Sequence, residues 1–473
     1  MTDSITIPLI IGGRDITLPS DDRKYPIPPH GGTQRYTFQG ATSAFAIEAV
    51  DAAAAAFPSW SQTTPAKRRE MLIDVARLLR NKSDEALALV QEEIHCSQLW
   101  AEINVEDAVG LIEEAAALVT DAMAGTIPAT RGNSYGLVTK EPLGVILGIA
   151  PWNAPLILGF RAVVPALATG NAVILKGSEL SPRTHHFIAS LFREAGFPPG
   201  VVNFVLHGPD DAAEIYDTII NRPEVRKCNF TGSTAVGRII ASKAALALKP
   251  VLLELGGKNF SIIMDDADLD SAASHVVEAA FLNNGQICMS TDIVYVVKPA
   301  AELLVSKILG LLKSEDRPHK VISAASKLRL TRLVDDARSK GAVIHQAGNT
   351  LSSDVLSYPA TVIENLDDSM DFYHVEAFGP VVGVMVVESE HEALRMARES
   401  PYGLSAAIFS QDHFRALGLS REIRAGAVHI NSSTIHDEPT LPHGGVGNSG
   451  WGRFGSRWGL DEFLQTKVVV LNK

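Results

Sequence analysis

From Leu143 to Phe160 the chain carries no charged side chain, yet Pro151 and Pro155 interrupt that run with Asn153 between them. By length alone the stretch is a candidate membrane helix. Proline removes a backbone donor and collides with the preceding helical turn, so one continuous helix is excluded. What remains is a buried strand over Val145–Ile149, a turn, and a helix starting near Pro155: a core βα unit. The chain then keeps alternating. The pattern predicts a helix over 156–168, a strand over 172–175, a helix over 182–195, strands over 201–205 and 227–230, and a helix over 233–245. A second alternation follows, with a strand over 259–264, a helix over 269–281, a strand over 293–297 and a helix over 326–340. This is the signature of an α/β fold, a doubly wound parallel sheet in the first part and a separate α/β core in the second. No repeat period appears, and the Ala52–Ala56 run is simply strong helix former.

Length and charge narrow the classes of function. A chain of 473 residues has room for roughly three domains of ~150 residues. Lys+Arg 42 against Asp+Glu 54 gives a net charge of -12, which repels nucleic acid and anionic membranes, so neither is an expected partner. The cysteines Cys96, Cys228 and Cys288 are far apart with no CxxC pair, against a disulfide framework or a zinc site. His185-His186 diverge around a helix and have no partner cluster nearby, so no metal is expected there either. The N-terminus has no basic region before its short apolar stretch, and Leu471-Asn472-Lys473 is not a peroxisomal tripeptide, so a reducing, cytoplasmic location is expected.

Cys288 ends Asn284-Gly285-Gln286-Ile287-Cys288, and Glu254 stands in Leu253-Glu254-Leu255-Gly256-Gly257-Lys258. A thiol with a spare carboxylate suggests covalent catalysis with a separate base: the thiolate attacks an electrophilic carbon, and the carboxylate activates the water that releases the acyl group. An Asn153 amide at the Pro151-Trp152-Asn153 turn is placed to donate to a developing oxyanion. Cys228 sits inside a strand as a small hydrophobe, and Cys96 follows carboxylates that oppose a thiolate. Gly232 ends a strand and Ser233 starts a helix, so free amides point where a pyrophosphate can lie, and Gly237 completes a GxxxxG spacing. Lys176 and Glu179 follow a strand at its carboxyl end, where doubly wound sheets bind ligands. Two other matches fail on context: Gly445–Gly450 fits GxGxxG without a βαβ unit, and Gly132–Gly136 fits GxSxG in a polar hairpin-like stretch.

The PWN turn, the ELGGK stretch and the GQxC cysteine, with Phe230-Thr231-Gly232-Ser233, Lys176-Gly177-Ser178-Glu179, Glu376-Ala377-Phe378-Gly379-Pro380 and Pro442-His443-Gly444-Gly445, fall in the order and spacing of one family. From about residue 40 to its end the chain resembles the aldehyde dehydrogenase superfamily. The resemblance implies a Rossmann-like NAD-binding domain over 1–123 and 141–255, a catalytic domain over 256–455, and a small β oligomerisation element over 124–140 and 456–473. That element is expected to cross-pair between subunits of a homodimer or homotetramer. The resemblance implies Cys288 as nucleophile, Glu254 as base for water, and Asn153 with the Cys288 amide as oxyanion donors. Trp152 and Ser233 would contact the pyrophosphate, Lys176 and Glu179 the adenosine ribose, and Glu376 the nicotinamide ribose with Phe378 beside the ring. Glu179 would repel a 2′-phosphate, which favours NAD over NADP.

For the aldehyde substrate, Trp100, Leu158, Arg161 and His443 would line the tunnel by resemblance. His443 stands where the family usually has an aromatic, and Gly447 where it commonly has lysine. Arg161 is the only charge between Leu143 and Leu175, and two readings of it stand: a buried ion pair with a distant carboxylate, or a contact to a polar ring substituent. Together these residues look most like the salicylaldehyde, benzaldehyde and vanillin dehydrogenase branch. Aliphatic and semialdehyde substrates, or transfer of the acyl group to coenzyme A, are the alternatives. An inactive scaffolding relative would need a broken site, and Asn153, Glu254, Cys288 and Glu376 are all present.

Overall fold

The uncharged stretch divides where its prolines require. Strand Val145–Ile149 leads through an irregular turn into helix Pro155–Ala168, with Pro155 in the first turn, where its missing N–H leaves no bond unmade. The computed structural model describes residues 4–20, 22–27, 35–314, 319–347 and 354–472.

Five parallel strands lie side by side in the order Val251–Leu255, Val225–Gly232, Val145–Ile149, Ala172–Lys176 and Val202–Val205. The chain thus begins in the middle of the sheet, runs outward on one side, returns, and runs outward on the other. That reversal separates the ends of Val145–Ile149 and Val225–Gly232 and opens a crevice at their carboxyl ends, the place where doubly wound sheets bind ligands. Leu9–Ile11 and Arg14–Ile16 extend the sheet antiparallel beyond Val202–Val205.

Gly256-Gly257-Lys258 connects Val251–Leu255 directly to Asn259–Ile263, the first strand of a second sheet. That sheet holds seven strands, parallel except for the edge strand Val343–Ala347. The junction is held by buried Lys258, whose Nζ lies 3.2 Å from Asp292 Oδ2, donates to the Val375 carbonyl at 2.8 Å, and sits 3.9 Å from the centre of the Phe372 ring.

Two expected boundaries cut across packed elements. Gly450–Trp451 pairs antiparallel with Leu253 and Glu254, so this piece belongs to the first sheet rather than to a domain over 256–455. Helix Ser456–Asp461 packs on helix Gln98–Ala122, with Ser456 Oγ donating to Glu114 at 2.9 Å, so the β element starts at Leu464 and not at residue 456. Leu464–Asn472 itself pairs antiparallel with Ser134–Pro142 of the same chain, Val468 opposite Val138. Within one chain each strand already finds the other's edge. What the ribbon leaves outward is apolar, Val468, Val470 and Leu471 being 62%, 55% and 52% exposed. Among the described residues no helix is long and apolar enough to cross a membrane.

Gly450 has φ +105, and a Cβ there would lie 2.1 Å from the Leu253 carbonyl oxygen. Gly450→Ala therefore combines an unfavourable backbone conformation with a collision beside Glu254. Chemical denaturation should show a loss of at least about 1–3 kcal/mol, and wild-type stability in the variant would refute the placement.

Candidate active site

Helix Leu269–Phe281 ends in a run of left-handed backbone, Asn283, Asn284 and Gly285 having φ 47°, 57° and 68°. Only glycine fits the third position, where a Cβ would fall 2.2 Å from the Gly379 carbonyl oxygen. The strained loop is tied down by side-chain amides. Asn153 Nδ2 donates to the Gln286 carbonyl at 3.1 Å, Asn283 Nδ2 donates to the Asn153 carbonyl at 2.9 Å, and Gln286 Oε1 accepts from the Ile322 amide at 2.9 Å. Asn259 Nδ2 donates to the carbonyls of Cys288 and Ser290 at 2.7 and 3.0 Å, while its Oδ1 accepts from the Ser405 amide at 3.1 Å. Trp100 Nε1 donates to the Asn153 carbonyl at 3.1 Å, so this buried indole braces the turn.

The loop delivers Cys288 to Glu254. Cys288 Sγ, a Glu254 oxygen and a His443 ring nitrogen all lie within 4.8 Å of one another. Glu254 is 1% exposed, and neither of its oxygens has a hydrogen-bond partner among the described residues. Behind them runs a chain of ionisable groups: His443 Nε2 is 3.7 Å from Glu254 Oε1, His443 Nδ1 is 3.6 Å from Asp437 Oδ2, and Asp437 is ion-paired with Arg161. Of the two readings of Arg161, the structure shows the carboxylate partner, while Arg161 Nε has no hydrogen-bond partner among the described residues. Leu158 is buried on the same helix. Burial pushes the Cys288 thiol well above its ordinary range, the Glu254 carboxylate adds to that, and the Arg161 charge opposes it. Burial also acts to raise the Asp437 carboxyl, but Arg161 and then His443 hold it below the usual range.

A cavity of about 520 Å³ opens from Cys288 along the crevice, past Trp152, Ser233, Glu376 and Phe378. Ser233 caps helix Thr234–Leu246, and the free amides of that helix end face the switch point of the sheet. Trp152 and Phe378 meet edge to face, ring centres 5.7 Å apart, with Phe378 held at φ +46°. Glu376 accepts from the Gly257 amide at 3.3 Å, and burial pushes its carboxyl up to about 8. Lys176 Nζ and Glu179 Oε2 stand 3.8 Å apart after strand Ala172–Lys176. Gly232 ends its strand beside the cavity. Gly237 serves packing: a Cβ there would be 2.5 Å from a Leu255 methyl, so the residue lets the helix approach strand Val251–Leu255. This set, amides at a helix end with Glu179 after a strand and Glu376 in the loop before strand Val381–Val387, fits the phosphates and ribose hydroxyls of a dinucleotide.

Sequence reasoning missed Asp437, Asn259 and Arg329. The last donates at 2.6 Å to the carbonyls of both Glu376 and Ala377, holding that segment against the cavity. None stands at an informative spacing from its partners, so no local signal marks them. The other two cysteines stay apart from the site, and burial pushes each thiol up to about 12.

Residues 19–469 match the aldehyde dehydrogenase family. The chain belongs to that family. Among aldehyde dehydrogenases it is 42% identical over 98% of both chains to a vanillin dehydrogenase of a Pseudomonas strain. It is 40% identical to a salicylaldehyde dehydrogenase of Pseudomonas putida, over 91% of each chain. The crystal structure of a salicylaldehyde dehydrogenase from Pseudomonas putida G7, complexed with salicylaldehyde, superposes with a TM-score of 0.95 at 36% identity, covering 99% of this chain and 98% of that one. The protein is thus an oxidoreductase acting on aldehydes.

The electrostatics of Cys288 can be read by alkylation with iodoacetamide in the absence of cofactor. The rate should keep climbing with pH beyond the ordinary thiol range near ~8.5. Removing a neighbouring negative charge favours the thiolate, so Glu254→Gln should move the profile to lower pH, and Arg161→Met should move it higher. A plateau reached at neutral pH would contradict this account.

Proposed function

We propose that this enzyme oxidises aromatic aldehydes, hydroxylated benzaldehydes foremost, to carboxylic acids with NAD as acceptor. The observation that carries the reading is the convergence of Cys288, Glu254 and the Asn153 turn at the mouth of the crevice. Cys288 Sγ bonds to the aldehyde carbon, its proton passing to the neighbouring carboxylate and on to solvent. The thiohemiacetal oxyanion is held by Asn153 and the Cys288 backbone amide. Trp152, Ser233, Glu376 and Phe378 hold the nicotinamide nucleotide, with Lys176 and Glu179 at its far end. When bound, that group accepts the hydride leaving the substrate carbon. Glu254 then takes a proton from water, which attacks the thioester and frees Cys288. A resident base for water favours hydrolysis over transfer to coenzyme A.

The aromatic preference draws on the similarity to vanillin and salicylaldehyde dehydrogenases and on Arg161. Its unpartnered Nε, buried in an apolar helix, is a donor suited to a ring hydroxyl. A Glu179 carboxylate favours NAD because it repels a 2′-phosphate. The outward apolar ribbon Leu464–Asn472 supports a homodimer or homotetramer.

Cys288→Ala should abolish turnover, measured as NADH formation. On a panel of aldehydes, salicylaldehyde and benzaldehyde should give higher kcat/KM than acetaldehyde or propanal, and Arg161→Ala should erase the preference for a ring hydroxyl by about tenfold or more, the order of one charge-assisted hydrogen bond. Preference for the aliphatic compounds sinks the substrate reading. Product formation unchanged by coenzyme A is expected. Removing residues from Thr466 onward should give monomer or aggregate in sedimentation, and an unchanged oligomer would count against the ribbon as the interface.

A further inference from the structure

We infer that Glu254, Cys288 and His443 form a binding site for a thiophilic divalent cation, zinc above all, whose occupancy reversibly shuts off the enzyme. The inference goes beyond the oxidation proposed above and does not depend on which aldehyde is oxidised. Thiolate, imidazole and carboxylate are the ligand types zinc selects. Their donor atoms already lie within 4.8 Å of one another. In a tetrahedral site with bonds of about 2.0–2.3 Å, ligand atoms stand about 3.3–3.8 Å apart. The His443 Nε2 to Glu254 Oε1 separation of 3.7 Å meets that, so a side-chain rotation of about an ångström at the thiol or the carboxylate would complete the set.

Two further features point to a ligand here. Both Glu254 oxygens and His443 Nε2 are buried without a hydrogen-bond partner among the described residues, the residues being 1% and 7% exposed. Groups left this way carry a desolvation cost that a bound cation would relieve. Second, Asp437 Oδ2, itself anchored by Arg161, lies 3.6 Å from His443 Nδ1, the opposite ring nitrogen, a few tenths of an ångström outside a hydrogen bond that a small ring rotation would make. A carboxylate behind a histidine is the usual support of a zinc-binding imidazole, because it fixes the tautomer and turns Nε2 toward the metal.

The chemistry balances without a redox step. The zinc–sulfur bond forms as the thiol proton leaves to solvent, and thiolate plus carboxylate neutralise the two positive charges. Water can fill the fourth position. Occupancy engages the sulfur that must attack the aldehyde and the carboxylate that must activate water. Magnesium, which prefers an octahedral oxygen shell, should not compete.

The test uses the full-length, chelator-treated enzyme without cofactor. Cobalt(II), as a spectroscopic stand-in, should bind one per chain with thiolate-to-cobalt charge-transfer absorption, and zinc should displace it. Cys288→Ser should remove that absorption, and His443→Phe should weaken zinc binding, by equilibrium dialysis, about a hundredfold. Asp437→Asn should weaken it about tenfold, as loss of a supporting carboxylate does. Should a variant fail to fold, the unmutated enzyme decides: zinc should block iodoacetamide labelling of Cys288, magnesium should not, and a chelator should restore it. Absence of the charge-transfer absorption, labelling indifferent to zinc, or His443→Phe binding zinc as tightly as wild type overturns the proposal.

Discussion

Side-chain amides holding a left-handed backbone are the constraint on which this site depends. Asn283 and Asn284 each adopt a conformation that costs an ordinary residue about 1–2 kcal/mol. Hydrogen bonds from Asn153, Asn259 and Asn283 and to Gln286, each contributing on the order of 1 kcal/mol, offset that cost only if all form together. The clamps come from three elements: the turn after Val145–Ile149, the first strand of the second sheet, and the loop itself, which supplies both Asn283 and Gln286. The position of Cys288 is therefore a property of both sheets at once.

Electrostatics follow from the same closure. Bringing the thiol against Glu254 in a buried pocket pushes its pKa up, and Arg161, whose charge opposes that, is committed to Asp437. His443 stands between Asp437 and Glu254, 3.6 Å from one carboxylate and 3.7 Å from the other.

The crevice is a matter of topology. Reversal of strand order between Val145–Ile149 and Val225–Gly232 leaves a gap at the carboxyl ends of both. Trp152 and Ser233 follow those strands, and Glu254 stands on the next one. The short link Gly256-Gly257-Lys258 brings the second sheet close enough for Glu376 and Phe378 to line the same cavity, and the buried Lys258–Asp292 pair fixes the end of that link against the second sheet.

Alternation of uncharged strands and helices was legible from the residues because period and proline placement act locally: Pro151 and Pro155 must break a helix wherever they lie. The segments that carry Cys288, Glu254 and Asn153 were legible as motifs for the same reason, each being a short segment with its own geometry. Local pattern says nothing about which distant edge is nearest in space. Strand Leu464–Asn472 pairs within its own chain, Gly450–Trp451 joins the first sheet, and Gly237 lets its helix approach strand Val251–Leu255. Asp437 likewise becomes the partner of Arg161 and His443 only after folding. Residues so far apart along the chain share no period, and burial alone, by making an unpaired charge prohibitively costly, decides that they must meet.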